Sequence, residues 1–341
     1  MRPVRLAPNL IDHFYAGGSR IAALRGIETT SARQPEEWIA ATVARAGQWP
    51  VGLAGTADGH VLRDLVVADP EAWTGSHGDG DTGLLLKLLD AGQRLPVHVH
   101  PDRRFAQSHL DCPYGKTEAW LVLEAEPGAA VHLGWTADVD PKELERRRDD
   151  QDGAWMLRHM HRVPVARGDG ILVPAGTVHA IGAGILVAEV QEPTDFSILL
   201  EWSVTTSGRE DAHLGLGFET AMPAVCTAAL EDTAVEALIR RTDLTARSGD
   251  PLPTLPAAAN PFFRLHLLAP SGTSRPLEAG FAAVLVLSGS GRLRGAGASL
   301  DVAAGDTVAV PAAFGDWAVE GDCAALVARP GTTWPPEGRT S

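Results

Sequence analysis

A succession of short apolar runs, each ended by glycine, proline or aspartate, is the feature that most restricts how this chain of 341 residues can fold. From residue 83 onward the runs are GLLLKLLDAG, LPVHVH, EAWLVLEA, AAVHLGW, HRVPVARGD, GILVPAG, GILVAEVQ and DFSILLEW. The chain also holds 36 glycines and 24 prolines, more than a bundle of helices would tolerate. Short strands at this spacing predict a mainly β protein, built as a barrel or a sandwich.

A few segments interrupt the β pattern. Residues 138–155 (DVDPKELERRRDDQDGAW) are charged and residues 232–242 (DTAVEALIRRT) have amphipathic spacing, so both are predicted to be helical. Residues 251–261 (PLPTLPAAANP) predict a stiff, proline-rich linker. Residues 36–47 (EEWIAATVARAG) fit either a strand or a helix.

The chain contains a weak internal repeat. Gly168 and Pro174 are separated by five residues, and Gly305 and Pro311 have the same spacing. The repeat predicts two related β-barrel units. The predicted organisation is an N-terminal unit at 1–207, a partly helical connector at 208–260, a C-terminal unit at 261–330 and a poorly ordered tail at 331–341.

Charge and cysteine content exclude several classes of protein. The 29 basic and 43 acidic residues leave a net charge of −14, which disfavours nucleic-acid and anionic membrane surfaces because both need clustered Lys and Arg. Cys112, Cys226 and Cys323 form no CxxC motif, so a disulfide framework is not predicted and a cytoplasmic location fits. No apolar run approaches the ~18 residues of a membrane span, and the N-terminus lacks the apolar segment of a secretory signal.

Three histidines occur in an order typical of a metal site. In LPVHVH, His98 and His100 are one residue apart, so on a strand both imidazoles face the same side. His179 follows a proline–glycine turn in VPAGTVHAIG, where a strand ends. The C-terminal unit has Val286, Ser288 and Asp316 at the corresponding positions, so no metal is predicted there.

A carboxylate completes the set. Lys116, Glu118 and Trp120 alternate in GKTEAW and can therefore face one cavity. Three imidazoles and one carboxylate suit a borderline divalent cation. Zinc with an open coordination position is the first choice, and iron, manganese, cobalt and nickel are the alternatives.

The order of these residues resembles the cupin pattern, in which Gly-x5-His-x-His and a glutamate precede Gly-x5-Pro-x4-His. The insertion DRRFAQSHLDCPYG lies between the second histidine and the glutamate. With it, the segments LLKLLDAGQRLPVHVHPDRRFA, GKTEAWLVLEA and GDGILVPAGTVHAIGAGILVAEVQEPTD resemble the type I mannose-6-phosphate (phosphomannose) isomerases. The resemblance extends over residues 16–202 and continues weakly into the C-terminal unit.

The resemblance implies a fold, a metal and a reaction. It implies two cupin (jelly-roll) β-barrel units, of which the N-terminal one is catalytic and the C-terminal one is degenerate. It also implies zinc bound by His98, His100, Glu118 and His179. The family reaction converts mannose 6-phosphate to fructose 6-phosphate, and a proton moves between C2 and C1 through an enediol or enediolate.

Two positions depart from the family pattern. The family carries an arginine where the ungapped match places Leu199, and usually a serine where this chain has Pro96. Both family residues lie near the phosphate of the substrate, and proline offers neither a hydroxyl nor an N–H. The expected ligand is therefore a sugar 6-phosphate or an unphosphorylated sugar.

Five further residues are candidates for catalysis or binding. Lys116 and Lys87 match family lysines near the substrate, and a lysine inside a barrel is costly unless it is paired or functional. Lys116 is the first choice as the acid/base or polarising group, and Glu201 is the second. Trp120 and Asp195 are the candidates for substrate binding, Trp120 by stacking on a sugar face.

Two other functions remain open from the sequence. One is different enolate chemistry on a sugar derivative, as in an epimerase or a lyase. The other is a non-catalytic sugar-binding cupin that regulates a partner. In each case the expected ligand is a small sugar or sugar phosphate, and the expected state is a monomer or a homodimer.

Overall fold

The computed structural model describes residues 1–75 and 80–336. Its strands, numbered along the chain, are β1 (Val4–Arg5), β2 (Leu10–Ile11), β3 (Glu36–Ile39), β4 (Leu85–Ala91), β5 (His98–Val99), β6 (Glu118–Ala125), β7 (Ala130–Trp135), β8 (Met160–Pro164), β9 (Asp169–Val173), β10 (His179–Ile181), β11 (Ile185–Gln191), β12 (Ile198–Leu199), β13 (Ile239–Arg241), β14 (Ser248–Pro253), β15 (Phe263–Ala269), β16 (Gly272–Thr273), β17 (Ala282–Gly295), β18 (Ser299–Ala303), β19 (Thr307–Val310) and β20 (Trp317–Pro330).

The helices are short and lie between the strands. They are α1 (Arg20–Arg25), α2 (Leu62–Ala68), α3 (Pro70–Thr74), α4 (Arg103–His109), α5 (Pro141–Asp149), α6 (Gly153–Arg158), α7 (Phe218–Ala221) and α8 (Asp232–Ala237). In the described part of the chain, every helix is too short or too polar to cross a bilayer.

The strands of the described residues form three sheets. The first has five strands in the order β12-β5-β10-β7-β8, and the second has seven in the order β13-β9-β6-β11-β4-β3-β2. The third has eight strands, with β1-β19-β17-β20-β15-β14 along its main path. The first two sheets enclose the N-terminal barrel and the third builds the C-terminal unit, which confirms the prediction of a mainly β protein with two units.

The seven-stranded sheet is the middle layer and is covered on both faces. On β4, Leu88 packs with Leu267 of the third sheet, whereas Leu89 packs with Leu133 of the first. All seven residues of β4 are buried, and Lys87 shares the parity of Leu89. A sheet buried on both faces has largely apolar strands, so Lys87, the charged residue on the inward face of β4, enters the barrel interior.

The two ends of the chain meet in the third sheet. Val4 pairs with Ala309, so β1 adds to β19 at the edge of the C-terminal unit. The first residues of the predicted N-terminal unit thus belong to the C-terminal sheet. This pairing satisfies backbone groups at an otherwise open sheet edge.

The segments predicted from composition have mixed outcomes. Helices α5 and α6 occupy the charged stretch 138–155, as predicted. Of residues 232–242, the first half forms α8 and the second half forms β13, which pairs with β9. The predicted linker at 251–261 begins within strand β14, which pairs with β15. Because β14 is the edge strand of its sheet, proline is tolerated there and the composition misled the prediction.

Candidate active site

Three histidines converge between the first two sheets. His98 on β5 and His179 on β10 are register partners on neighbouring strands. The ring centroid of His179 lies 4.1 Å from that of His98 and 4.8 Å from that of His100. Each histidine offers one nitrogen to a group in which all ligand atoms lie within 4.8 Å of one another. The structure therefore brings the three predicted ligands together.

Each of the three rings is oriented by a backbone carbonyl. Nδ1 of His98, His100 and His179 contacts the oxygens of Pro96, Phe196 and Thr177 at 2.9, 2.7 and 2.8 Å. A carbonyl oxygen can only accept a hydrogen bond, so Nδ1 carries the hydrogen, and in the neutral ring Nε2 keeps its lone pair. This is the outer-shell arrangement that fixes the tautomer of metal-binding histidines.

Glu118 reaches the histidines from the opposite sheet. Its Oε2 lies 2.9 Å from His100 Nε2, and its Oε1 lies 3.4 Å from His179 Nε2. Trp120 Nε1 donates a hydrogen bond to Oε1 at 3.0 Å. Trp120 is fully buried and does not line the cavity, so it orients the carboxylate instead of stacking on a sugar.

The donor set fits a divalent metal. His179 Nε2 is buried and has no hydrogen-bond partner, as expected of an atom whose partner is an ion. Glu118 Oε2 lies 2.9 Å from Lys116 Nζ, which itself lies 3.0 Å from His100 Nε2. Three imidazoles and one carboxylate match the ligands that zinc and related metals prefer.

Protonation at the cluster also favours a cation. Burial, with the charges of His179 and His100, holds the pKa of His98 well below its usual range. Burial also lowers the pKa of His100 to about 3. Burial alone would raise the pKa of Glu118, but Lys116 and His100 hold that pKa well below its usual range. His98 and His100 are therefore neutral and Glu118 is ionised at neutral pH, the forms that metals bind.

Two glycines of the sequence motifs lock the ligand loops together. A Cβ on Gly115 would lie 2.7 Å from the Pro101 oxygen, so only glycine fits there. The next residue, Lys116, donates its backbone N–H to the same oxygen at 2.9 Å. Gly176 donates its N–H to the His100 oxygen at 2.8 Å and has a φ of +85°. These contacts hold Lys116 and the turn before His179 against the His100 strand.

A second polar cluster surrounds Lys87. Its Nζ lies 3.3 Å from Glu36 Oε2 and 3.6 Å from Glu189 Oε1. The Tyr15 hydroxyl donates to Glu36 Oε1, and Trp38 Nε1 donates to Glu36 Oε2 at 2.8 Å. Lys87 is therefore paired with two carboxylates, inside the barrel and next to the metal ligands.

The carboxylates of this cluster differ in their proton affinity. Burial raises the pKa of Glu189 to about 7, with the charge of Glu118 acting in the same direction. Burial alone would raise the pKa of Glu36, but Lys87, His13 and two hydrogen bonds hold it well below its usual range. Burial alone would lower the pKa of Lys87, yet Glu36 and Glu189 hold it above its usual value. Glu189 is therefore the carboxyl of this pair that can exchange a proton near neutral pH.

Both clusters border one small cavity of about 30 Å³. Its wall is formed by His13, Phe14, Tyr15, Glu36, Lys87, Leu89, Leu95, Pro96, His98, Lys116, Glu118, Ile181, Glu189, Asp195, Ser197 and Leu199. The predicted residues Lys87, Lys116 and Asp195 thus face the same space as the histidine cluster. A wider outer cleft shares Asp195, Ser197 and Leu199 with this cavity.

Glu201 lies outside the cavity and has a structural contact. Arg94 donates two hydrogen bonds to its carboxylate, each of 2.8 Å, and Val97 N donates a third at 3.1 Å. These bonds tie Glu201 to the segment that leads into His98. Glu201 is therefore not placed to act as the predicted base, because its carboxylate is held by Arg94 and Val97 and is not part of the cavity wall.

Asp195 lies at the mouth of the cavity. Its Oδ2 is 3.8 Å from Arg45 Nε and accepts the Ala46 N–H at 3.4 Å. The residue also lines the outer cleft. Asp195 thus joins the loop around Arg45 to the rim of the cavity.

Sequence reasoning missed Tyr15, Glu36 and Glu189. Glu189 is the register partner of Lys87, and both interrupt otherwise apolar buried strands. A charged residue at an inward position of such a strand was a usable signal. Tyr15 and Glu36 had no signal, because their contact with Lys87 depends on which strands become neighbours.

The salt bridge of Glu201 predicts a measurable effect of Gly153→Ala. A Cβ at Gly153 would lie 1.9 Å from Glu201 Oε1 and must displace the carboxylate from Arg94. We expect the free energy of unfolding to fall by about 2 kcal/mol, because buried charged groups lose their partners. Urea denaturation measures this free energy. Gly297→Ala is the matched control, because a Cβ at residue 297 would point into open space. Equal stability of the two variants would contradict this account of Glu201.

Comparison with known proteins gives consistent relatives along the whole chain. No protein-family model matches. Mannose-6-phosphate isomerase of Streptococcus mutans is 30% identical over 307 residues, covering 90% of this chain and 92% of that protein. The probable mannose-6-phosphate isomerase GmuF of Bacillus subtilis is 27% identical over 332 residues, covering 96% and 99%.

Solved structures agree on the fold. The mannose 6-phosphate isomerase from Bacillus subtilis superposes with a TM-score of 0.74 at 23% identity, covering 96% of this chain and all of that one. The apo enzyme from Salmonella typhimurium gives 0.71 at 14% identity, covering 97% of this chain and all of that one. With the histidine cluster on the expected strands and a relative 30% identical over 90% of its length, this chain belongs to the mannose-6-phosphate isomerase family.

Proposed function

We propose that the protein is a divalent-metal-dependent aldose–ketose isomerase that interconverts a mannose-type aldose and the corresponding fructose-type ketose. The observation that carries this proposal is the convergence of His98, His100, Glu118 and His179 beside Lys116 at one cavity. Relatives named as mannose-6-phosphate isomerases favour isomerisation over other enolate chemistry and over a purely regulatory sugar-binding role.

The metal site and Lys116 are placed to stabilise the negative charge that develops on the sugar oxygens during the reaction. His98, His100, Glu118 and His179 would hold the ion, and zinc is the first choice. A bound divalent ion supplies electrostatic stabilisation of negative charge on the sugar oxygens. Lys116 places a fixed positive charge at the same ligand set, 2.9 Å from Glu118. Its ammonium can donate a hydrogen bond to the oxygen of an enediolate as charge accumulates there.

Glu189 and Lys87 provide the proton-transfer chemistry. Isomerisation needs a group that removes the proton from C2 and returns it to C1. Glu189 borders the cavity, and its pKa of about 7 suits a base that is half ionised at neutral pH. Lys87, 3.6 Å away, balances the charge of the ionised form. We propose Glu189 as the base, in place of Glu201.

This assignment predicts a pH dependence. A base must be deprotonated to act, so kcat/KM rises with pH through about 7 in the wild type. Glu189→Gln cannot ionise, and we expect kcat to fall by roughly a hundredfold or more and the rising limb to disappear. Steady-state assays from pH 5.5 to about 9, with metal content measured in parallel, check this. A variant that keeps the rising limb would show that another group is the base. Glu124→Gln, an exposed glutamate, is the matched control.

Direct observation of the product tests the proposal as a whole. Zinc-loaded protein is incubated in D2O with mannose 6-phosphate or with mannose, and proton NMR follows ketose formation and deuterium at C2. We expect turnover of at least one sugar, its loss after chelation and its return with zinc. Zinc bound at one equivalent with neither ketose nor exchange would contradict the isomerase proposal.

Cellular setting and domain roles follow as further parts of the proposal. We propose a cytoplasmic protein, in keeping with three scattered cysteines that form no CxxC motif, and a monomer or homodimer. Residues 1–207 are proposed as the catalytic unit, 208–260 as the connector and 261–330 as a structural unit. Of the proposed tail at 331–341, the structure describes residues up to 336, and Trp334 Nε1 donates to the Tyr114 hydroxyl at 3.0 Å.

A further inference from the structure

The charges that line the inner cavity are already matched to one another. Four carboxylates face it, and two lysines oppose them. Lys87 lies within 3.6 Å of two glutamates, and Lys116 lies 2.9 Å from Glu118. A divalent ion at the histidine cluster balances the remaining two negative charges. If Glu189 is protonated, the described wall residues and the ion together carry a net charge of only +1. A phosphate dianion carries two negative charges, so this is not enough to neutralise it.

The outer cleft offers no surplus of positive charge either. Its described wall holds two arginines, Arg33 and Arg45, against four carboxylates. Arg45 donates to the Asp12 oxygen and lies 3.8 Å from Asp195, so its guanidinium is occupied. Arg33 donates to the Phe14 oxygen at 3.3 Å and is exposed to solvent. A phosphate that extends from the cavity would meet more carboxylates than cations.

Most of the remaining cavity wall is apolar. Phe14, Leu89, Leu95, Pro96, Ile181 and Leu199 line it, and each is buried or half-buried. These side chains have no hydrogen-bond donor, and proline also lacks the backbone N–H. His13, Tyr15 and Ser197 are the uncharged polar residues of the described wall, and the Tyr15 hydroxyl already donates to Glu36. Such a wall suits a methyl or hydroxymethyl group, whereas a buried phosphate needs several charged or N–H partners.

We infer that the enzyme acts on aldoses whose terminal carbon is uncharged, D-mannose and 6-deoxy-D-mannose, and discriminates against the 6-phosphate ester. This inference rests on the proposed isomerase function. It identifies the metal-bearing cavity as the site for the reacting carbons, and the apolar wall as the contact of the far end of the sugar. Specificity follows because a phosphate would lose its water without gaining cations.

A side-by-side kinetic comparison tests the inference. The zinc-loaded full-length protein is assayed with D-mannose, 6-deoxy-D-mannose and mannose 6-phosphate at one pH and ionic strength. We expect kcat/KM to be at least about tenfold higher for D-mannose than for its 6-phosphate, with 6-deoxy-D-mannose within about tenfold of mannose. Equal or faster turnover of the phosphate ester overturns the inference and leaves the isomerase function standing. No turnover of any of the three sugars overturns both the inference and the isomerase function.

Variants of the wall give a second test. Leu199→Arg adds a cation, and we expect the ratio of kcat/KM for phosphate ester to mannose to rise by at least about tenfold. Leu199→Gln, of similar length and no charge, should leave the ratio unchanged. If the buried arginine prevents folding, Arg33→Gln in the outer cleft tests the inference instead. An unchanged ratio of kcat/KM for the phosphate ester to that for mannose supports the inference. A selective loss of phosphate-ester turnover overturns it, because the phosphate would then bind the Arg33 guanidinium.

Discussion

Loss of isomerase activity by at least about a thousandfold, together with loss of bound metal, is the expected result of His179→Ala. His179 is fully buried, and its Nε2 has no hydrogen-bond partner while lying 3.4 Å from Glu118. Removing this nitrogen leaves two imidazoles and one carboxylate, one ligand fewer than the proposed site. Metal analysis after dialysis and kcat/KM on the same sample measure both effects.

A neighbouring histidine provides the control for this experiment. His132 on β7 pairs with Ala180, next to His179, but its ring is not part of the cluster. His132→Ala should therefore keep one equivalent of metal and most of the activity. Zinc should also raise the melting temperature of the wild type and of His132→Ala but not of His179→Ala, because only a bound ligand stabilises the folded state. Full metal content in His179→Ala would refute the proposed ligand set.

Lys116→Gln is expected to reduce kcat by roughly two to four orders of magnitude while leaving metal bound. The Lys116 ammonium is buried and contacts two proposed metal ligands. Because little water screens its charge there, its electrostatic interactions are strong. Glutamine keeps most of the volume and can still donate a hydrogen bond. The loss therefore measures the charge rather than the packing. Binding of unreacted sugar, followed by calorimetry, should persist.

The chain offers an informative control for this substitution. It contains only three lysines, Lys87, Lys116 and Lys142, and the first two are buried at the cavity. Lys142 is exposed on α5, so Lys142→Gln should be indistinguishable from the wild type. Normal turnover by folded, metal-loaded Lys116→Gln would remove Lys116 from the reaction. A metal-free Lys116→Gln protein would instead make its role one of organising the ligands.

Charged side chains on the middle sheet explain how far local patterns could lead. Glu118 was identified from strand alternation and Lys87 from the family resemblance, and the structure places both at the cavity. Glu201 was the second choice for the acid/base group, but its carboxylate is bound by Arg94 and does not line the cavity. Parity predicts which side of a strand a residue occupies, and not which charged group lies across from it.

The ligand histidines were within reach of the sequence because their spacing is a property of single strands and turns. His98 and His100 face one side through strand alternation. Gly115, next to Lys116, marks a close backbone contact that no other residue fits, and Gly176, in the turn before His179, has a positive φ. Mainly β architecture was equally accessible, because apolar runs and turn residues are local.

Only the tertiary structure determined which side chains lie opposite the proposed metal ligands. Residues 15, 36, 87 and 189 become neighbours because β3, β4 and β11 lie side by side, although long stretches of chain separate them. The double burial of the middle sheet, the pairing of β1 with β19 and the balance of charge in the cavity arise in the same way. The sequence by itself determined the chemistry of each strand. The packing of strands from distant parts of the chain determined which charges meet, and the proposed base and the proposed sugar terminus both rest on that packing.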